Sequence, residues 1–340
     1  MQTSVIICTH NPRPEYLRRT LDALRRQTLA LSGWELLLVD NASREKLSDT
    51  WDLSWHPNSR HVREDELGLT PARLRGIKEA RGNTLVFVDD DNLLAPNFLE
   101  QVQGVIACNP HLGVFGAGSL EAEFEAPPAP ELVPFLGLLA LRSVSSTLWS
   151  NNPADIALIP WGAGMSVTRN TADSYLQLIQ ELNVKAVLGR RGRQLFAAED
   201  DLFSWASLMT GKGFGIFPNL YVTHLISAGR LNHSYFIQMI HDHRFSHEVL
   251  KHLLVGTASP DTRFLSRIVQ GLRLVLHGMR NGQFSMRCHW ATIRGRQDAA
   301  RFISDQRLST IKNATLKPWQ NQRKHGLDEW SQHNSTKCTP

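Results

Sequence analysis

The chain has 340 residues, of which 42% are hydrophobic and 20% are charged, so it is long enough for one large α/β domain or two ordinary ones. Its 23 glycines and 16 prolines are spread along the chain, which excludes a collagenous, low-complexity or wholly disordered protein. The net charge of +5 is uneven, because residues 261–340 hold 14 Lys and Arg against 5 Asp and Glu, while the rest of the chain is acidic overall. We therefore expect no nucleic-acid partner.

The cysteines and the apolar stretches indicate the cellular compartment in which the protein is expected. The four cysteines stand singly, without a CxxC pair, which argues against a disulfide framework or a zinc site. The first ten residues lack the basic region and the apolar length of a signal peptide, and no apolar stretch approaches the ~20 residues that cross a bilayer. We expect a cytoplasmic protein, with peripheral attachment to the inner face of the membrane as the alternative.

Strands and helices alternate in the first hundred residues. Apolar runs at 4–8 and 35–40 predict buried strands, and leucines at helical spacing predict a helix over 14–27 between them. A second helix over 70–80 leads into a third buried strand over 84–89. This order predicts a parallel sheet with right-handed crossovers, in which ligands bind beyond the carboxyl ends of the strands.

The pattern is less regular further on. A helix is predicted after Pro96 as far as about Asn109, followed by a strand around 114–118. The segment Glu121–Pro134 contains four prolines and four acids, which predicts a loop or an excursion from the sheet. Structured chain resumes at Trp161, and helices dominate from Leu231 onward.

Three consecutive acids, Asp89, Asp90 and Asp91, follow the third predicted strand. Because neighbouring side chains alternate in direction, Asp89 and Asp91 are the pair expected to converge. Like charges this close repel each other unless a cation lies between them, and a hard divalent metal that bridges to substrate phosphates suits such a site. The alternative is a solvated acidic turn.

Polar residues also end the first two predicted strands. Thr9, His10 and Asn11 follow the first, and Asp40 and Asn41 end the second. Parallel strands bring these groups to the same edge of the sheet, where they form a pocket. Asp40 is placed there to hydrogen-bond a base or a ribose, while the acidic triplet holds a metal diphosphate.

Four segments, 5–11, 37–43, 68–77 and 88–91, resemble in order and spacing the family 2 glycosyltransferases, and the resemblance covers about residues 3–230. It implies an α/β fold of GT-A type, with a Rossmann-like, mainly parallel sheet flanked by helices and a helical C-terminal extension. It also implies a nucleotide-sugar donor and a divalent metal, Mn²⁺ or Mg²⁺.

The expected organisation follows from this resemblance. Residues 1–118 form the nucleotide-sugar-binding half of the GT-A domain, and 119–230 form its acceptor-binding and catalytic half. Residues 231–310 are the helical extension, and 311–340 are a polar, flexible tail.

The resemblance also implies roles for individual residues. The metal ligands are Asp89, Asp91 and His224, although a histidine at the end of a strand is by itself more often structural. The donor-binding residues are Thr9, Asn11, Asp40, Asn41, Arg73, Asp89, Asp90, Gly162 and Arg230.

A second acidic run, Glu199, Asp200 and Asp201, opens a predicted helix. Acids in a first turn are favoured by the helix dipole, so helix capping alone would explain them. The resemblance makes Asp200 the general base and Glu199 a residue that helps to position the acceptor. Asp201 is rotated about 100° from Asp200 around the helix.

The predicted function is therefore a metal-dependent, inverting transfer of a sugar to an acceptor hydroxyl. The donor is expected to be a UDP-sugar in preference to a GDP- or dTDP-sugar, and the acceptor a saccharide, a lipid-linked molecule or another hydroxyl compound of glycoconjugate biosynthesis. A nucleotidyltransferase on a related fold is the first alternative, although residues 9–13 lack the Gly-rich loop of such enzymes. A non-catalytic nucleotide-binding protein is the second.

The segment 263–280 carries an apolar stripe at helical spacing, flanked by four arginines. Packing onto the catalytic domain is the simpler interpretation. Contact with an anionic membrane surface is the alternative.

Overall fold

The computed structural model describes residues 2–182, 199–255 and 264–305, with the backbone alone for 255 and 264–281. Its strands are β1 Thr3–Thr9, β2 Trp34–Asn41, β3 Ser59–Glu64, β4 Thr84–Val88, β5 Asn92–Leu94, β6 Leu112–Phe124, β7 Arg142–Ser143, β8 Leu148–Ser150, β9 Met165–Thr168 and β10 Gly213–Ile226. Its α-helices are α1 Pro14–Arg25, α2 Leu47–Thr50, α3 Leu69–Glu79, α4 Phe98–Cys108, α5 Arg169–Leu182, α6 Glu199–Met209, α7 His233–Val255 and α8 Phe264–Asp305. Short 3-10 helices lie at Leu31–Gly33, Pro130–Leu139, Ile156–Leu158 and Ala228–Arg230.

The strands of the described residues join in one sheet of order β3-β2-β1-β4-β9-β6-β10-β5, with β7 added to β6 and β8 to β10. Strands β3, β2, β1 and β4 are parallel, as are the long β6 and β10, while β9 joins the two groups by antiparallel pairing. Thr9 is paired in register with Asp40, so β1 and β2 end at the same edge. The predicted mainly parallel α/β sheet is confirmed.

Both faces of the sheet are buried, which is why the strands appear in sequence as continuous apolar runs. In β1, Val5 and Ile7 face one core, where Leu17 of α1 packs, while Ile6 faces the other core with Ile77 of α3. Helices α5 and α6 cover the Ile6 face, and α4 covers the opposite one. The sheet edge between these layers is left open for a site.

The expectation of a loop over Glu121–Pro134 is wrong at its first residues, because β6 continues to Phe124 beside β10. Glu121 and Glu123 are exposed, whereas Leu120 is buried and Ala122 and Phe124 are half-buried, so the segment has the two-residue alternation of a strand. The acidic residues Glu121 and Glu123 made this strand pattern difficult to recognise in the sequence. Part of the expected excursion is the 3-10 helix Pro130–Leu139.

The helical extension packs against the end of the sheet. Phe236 and Met239 of α7 and Phe284 of α8 form a third apolar cluster with Ile226 and the 3-10 helix Pro130–Leu139. This packing fixes α7 beside the open sheet edge.

Two of the predicted boundaries can be compared with this architecture. The division at 118/119 falls inside β6, and the strands on both sides of it share one sheet. The tail 311–340 lies outside the described residues, as do the side chains of the stripe 263–280. In the described part of the chain, none of the helices combines the length and apolarity needed to span a membrane.

The contact between α3 and β1 gives a stability test. A Cβ built at Gly76 would lie 2.6 Å from Cγ2 of Ile6, whereas one at Gly104, on the exposed side of α4, would meet nothing within 4 Å. We expect Gly76→Val to lower the free energy of unfolding by about 1–3 kcal/mol through overpacking. Gly104→Val should change it by about 0.5 kcal/mol at most. Urea unfolding measures the change in the free energy of unfolding for both variants. Equal changes in the two variants would show that α3 can move away from the sheet.

Candidate functional site

A cavity of about 710 Å³ opens at the carboxyl ends of β1, β2 and β4, the edge where the sequence predicts a site. Most of the predicted residues line it: Thr9, Asn41, Arg73, Asp89, Asp90, Asp91, Gly162, Glu199, Asp200, His224 and Arg230. The structure therefore brings the donor-side and acceptor-side candidates into one space.

Two predicted donor-binding residues, Asn11 and Asp40, do not line the cavity. Asp40 is buried and accepts hydrogen bonds from the backbone N–H groups of Ser43 (3.0 Å) and Leu47 (3.2 Å). Arg63 pairs with the same carboxylate at 2.6 Å. Burial alone would raise the pKa of Asp40, but these hydrogen bonds lower it. Asn11 has a positive φ of 47° and donates its backbone N–H to the Ser43 hydroxyl. Both residues shape the loops that frame the site.

The carboxylates of the acidic triplet lie against different partners. Asp89 Oδ1 is 3.9 Å from a guanidinium nitrogen of Arg73, and Asp90 accepts a hydrogen bond from the Thr9 hydroxyl. Burial, and then the neighbouring charge of Asp91, raise the pKa of Asp90 to about 7. The triplet therefore carries less than its full negative charge near neutral pH.

Asp91 forms a compact group with His224 and Arg230. The His224 ring donates from Nδ1 to the carbonyl oxygen of Leu139 at 2.9 Å, which leaves a lone pair on Nε2. Arg230 donates to this Nε2 and to Oδ2 of Asp91, both at 3.1 Å. Nε2 and Oδ2 are 3.3 Å apart, and both contact the same guanidinium nitrogen, Nη1 of Arg230.

The side chains of Asp91 and His224 can be compared with the ligands that a metal ion needs. Among the described residues, no three His, Cys, Asp or Glu side chains are grouped so that they alone could hold one. Asp91 and His224 nevertheless offer an oxygen and a nitrogen that already converge on a positive charge. Divalent ions in nucleotide sites commonly take one or two protein ligands and complete their shell with phosphate oxygens and water. The residues present fit a metal of that kind.

Arg73 of α3 is the buried cation of the site, with a side chain only 4% exposed. It donates to Oδ1 of Asp200 at 2.9 Å, and it lies 3.7 Å from Oε2 of Glu199. Together with Asp89, three acids from two different segments surround one guanidinium. Burial opposes its charge, but the carboxylates raise its pKa further above the usual range. Arg73 thus stays charged and joins the triplet after β4 to the start of α6.

Glu199 and Asp200 are adjacent in sequence but differ in setting. Glu199 is buried and accepts hydrogen bonds from Tyr175 Oη (2.9 Å) and Thr70 Oγ1 (3.3 Å), and burial raises its pKa. The Asp200 side chain is 29% exposed, and its Oδ2 accepts the backbone N–H of Gly162 at 2.9 Å. A carboxylate has about four lone-pair positions, so Asp200 retains room for a further donor from the cavity.

Gly162 is needed for this close approach. A Cβ at this position would lie 2.3 Å from Nη2 of Arg73 and 3.2 Å from Oδ1 of Asp200. The family resemblance predicts Gly162 as a donor-binding residue. In the structure its backbone N–H orients Asp200.

Several cavity residues were missed from sequence. Cys8 lies on the floor, where burial raises the pKa of its thiol, and the exposed Leu138 and Ile156 form an apolar part of the wall. His243 and His247 of α7 also line the cavity. Their spacing of four residues is the one signal that could have indicated a shared helix face.

Comparison with known proteins agrees with the fold and the motifs. Residues 4–122 match the family described as Glycosyl transferase family 2. Over these residues, about a third of its length, the chain is similar to glycosyl transferase family 2.

Two curated relatives each match a little over 100 residues of this chain. An uncharacterized glycosyltransferase of Haemophilus influenzae is 30% identical over 109 residues, which are 32% of this chain and 36% of that protein. The validoxylamine A glucosyltransferase of Streptomyces hygroscopicus subsp. jinggangensis is 34% identical over 103 residues, 29% of this chain and 24% of that protein. The chain thus spans about a third or less of the length of these relatives.

Among solved structures, the crystal structure of GalNAc-T7 with UDP, GalNAc and Mn²⁺ is similar to this chain, with a TM-score of 0.50 and 15% sequence identity. The superposition covers 95% of this chain and 57% of the GalNAc-T7 chain. At this identity the likeness concerns the fold alone. The predicted GT-A type fold is confirmed.

The burial of Arg73 gives a stability test. We expect Arg73→Leu to lower the free energy of unfolding by about 3–5 kcal/mol at pH 7, because buried carboxylates lose their counter-charge. The loss should shrink as the pH falls, since protonation removes the charges that Arg73 balances.

Arg75→Leu is the matched control, because Arg75 lies on the same helix and pairs with Glu79 at 2.9 Å on the surface. It should cost about 0–1 kcal/mol. Unfolding curves for both variants at pH 7 and pH 5 measure the difference. A pH-independent loss for Arg73→Leu would contradict the electrostatic account.

Proposed function

We propose that this chain is a metal-dependent, inverting glycosyltransferase. It moves a sugar from a nucleotide-sugar donor, a UDP-sugar in preference to a GDP- or dTDP-sugar, to an acceptor hydroxyl on a saccharide, a lipid-linked molecule or another compound. One observation carries the proposal: a single cavity holds the pair Asp91 and His224, which faces a cation, and the partly open carboxylate Asp200. A diphosphate and an acceptor hydroxyl are the groups that such a pair of sites would bring together.

The donor side is built from the strand ends. In this proposal Thr9, Asn41 and Asp90 contact the nucleoside, and Arg230 contacts the diphosphate. That all four line the cavity supports these assignments. A bound Mn²⁺ or Mg²⁺, held by Asp91 and His224 with Asp89 nearby, would neutralise the charge of the diphosphate. The presence of UDP and Mn²⁺ in the GalNAc-T7 structure supports this choice of nucleotide and metal.

The acceptor side uses Asp200. The acceptor oxygen attacks the anomeric carbon from the face opposite the diphosphate, while Asp200 takes the hydroxyl proton. The bond from the anomeric carbon to the diphosphate oxygen breaks, and its electron pair leaves with the nucleoside diphosphate. Configuration inverts in one displacement, so no covalent enzyme intermediate is needed.

Glu199 supports the proton transfer to Asp200 indirectly. Its carboxylate is held by Tyr175 and Thr70, and it lies against Arg73, which in turn donates to Asp200. Glu199 is therefore a positioning residue in this proposal, acting through Arg73 on the orientation of the base.

The reaction class is tested by the product released from a panel of nucleotide sugars with Mn²⁺. Transfer or hydrolysis releases nucleoside diphosphate, transfer of the nucleotidyl group releases sugar 1-phosphate, and a binding protein releases neither. Only the first result agrees with the proposal.

Asp91→Asn tests the donor side. The amide removes the charge that faces Arg230 and His224, so we expect metal-dependent donor affinity to fall at least tenfold while the melting temperature hardly changes. Calorimetric titration of UDP-sugar with and without Mn²⁺ measures this, and a chelator should reproduce the effect in the parent protein. Asp22→Asn, on the exposed side of α1, should bind as the parent does. Unchanged metal-dependent binding by Asp91→Asn would refute the assignment.

Asp200→Asn tests the base. An amide keeps the shape but accepts no proton, so turnover should fall by about 10² to 10⁴ while the dissociation constant of the donor stays within about threefold. Glu199→Gln should cost less, because its effect reaches the base only through Arg73. Steady-state rates and donor titrations of the two variants are compared. If Glu199→Gln loses more turnover than Asp200→Asn, the base is wrongly assigned.

A further inference from the structure

The helical extension contributes two histidines that the proposed reaction does not use. His243 and His247 line the cavity and are one turn apart on α7, so their side chains share a face of that helix. Asp201, next to the proposed base, also lines the cavity, and its Oδ2 is 3.8 Å from Nδ1 of His247. The side chains of His243, His247 and Asp201 line the same cavity as Asp200, the proposed base for the acceptor hydroxyl.

The His243 ring is open to a ligand. Its side chain is exposed to the cavity, and no hydrogen bond to its ring comes from the residues that the structure describes. The surrounding protein displaces bulk water and lowers the pKa of His243, against the opposing charge of Asp201. In its neutral form the ring has one N–H donor and one acceptor lone pair.

This mixture of groups matches hydroxyls. Each hydroxyl of a sugar ring both donates and accepts, as a neutral imidazole does, and a carboxylate such as Asp201 accepts from a hydroxyl. The two carboxylates Asp200 and Asp201 also make this wall negative, so a phosphate or carboxylate on the acceptor would be repelled. The chemistry favours a neutral, polyhydroxylated molecule.

We propose that His243, His247 and Asp201 form an acceptor subsite that binds a neutral saccharide beside Asp200. The proposal rests on the function proposed above and names its acceptor class. All three residues lie outside residues 4–122, the segment that matches the family.

Binding is measured independently of turnover, by saturation-transfer difference NMR with a panel of methyl hexopyranosides. The parent protein should bind at least one of them, and His243→Ala and His247→Ala should each weaken that binding about five- to tenfold, the effect of losing one or two hydrogen bonds. His252→Ala, a histidine of the same helix that does not line the cavity, should bind as the parent does. His243→Gln keeps a donor and an acceptor and should recover part of the affinity.

Kinetics then separate this subsite from the donor site. The two alanine variants should raise the KM for the saccharide about five- to tenfold, while the rate of donor hydrolysis without acceptor stays unchanged. Unaltered saccharide binding in both variants, no saccharide binding by the parent, or tighter binding of glucose 6-phosphate than of methyl glucoside would overturn the proposal. If the parent binds saccharide through His243 but releases no nucleoside diphosphate, the proposed function fails and the subsite stands. If it transfers sugar with unaltered saccharide affinity in the variants, the subsite alone fails.

Discussion

A single buried guanidinium connects the two halves of this site. Arg73 lies on α3, under the cavity, and carboxylates from the loop after β4 and from the start of α6 surround it. An isolated charge in such a place would be strongly unfavourable, and so would the acids without it. The positions of Asp89, Glu199 and Asp200 are therefore coupled through one side chain, and the backbone of Gly162 must come close enough to complete the arrangement.

The cavity divides into two sides of different chemistry. On one side, Asp91 and His224 converge on Arg230, an arrangement that suits the exchange of one cation for a metal with its diphosphate. On the other side, Asp200 and Asp201 line the cavity together with His243 and His247 of α7. The separation suits a reaction in which negative charge leaves on one side while a proton is accepted on the other.

The two sides also come from different parts of the chain. The ends of β1, β2 and β4 lie within the residues that match the family, whereas His224 and Arg230 lie outside them. Helix α7 reaches the acceptor side because apolar residues of α7 and α8 pack on the end of β10 and on the 3-10 helix Pro130–Leu139.

The sequence by itself determined the order of the first strands and helices, because a strand buried on both faces, such as β1 or β4, leaves an apolar run bounded by polar residues. It also placed Asp89 to Asp91 and Asp200 at element ends. Only the tertiary structure decided what each group contacts: that Asp40 supports a loop, that Glu199 is buried behind Asp200, and that His243 and His247 reach the cavity. Local patterns record which face a residue occupies, whereas these contacts join segments more than a hundred residues apart, or depend on hydrogen bonds that leave no period in the sequence.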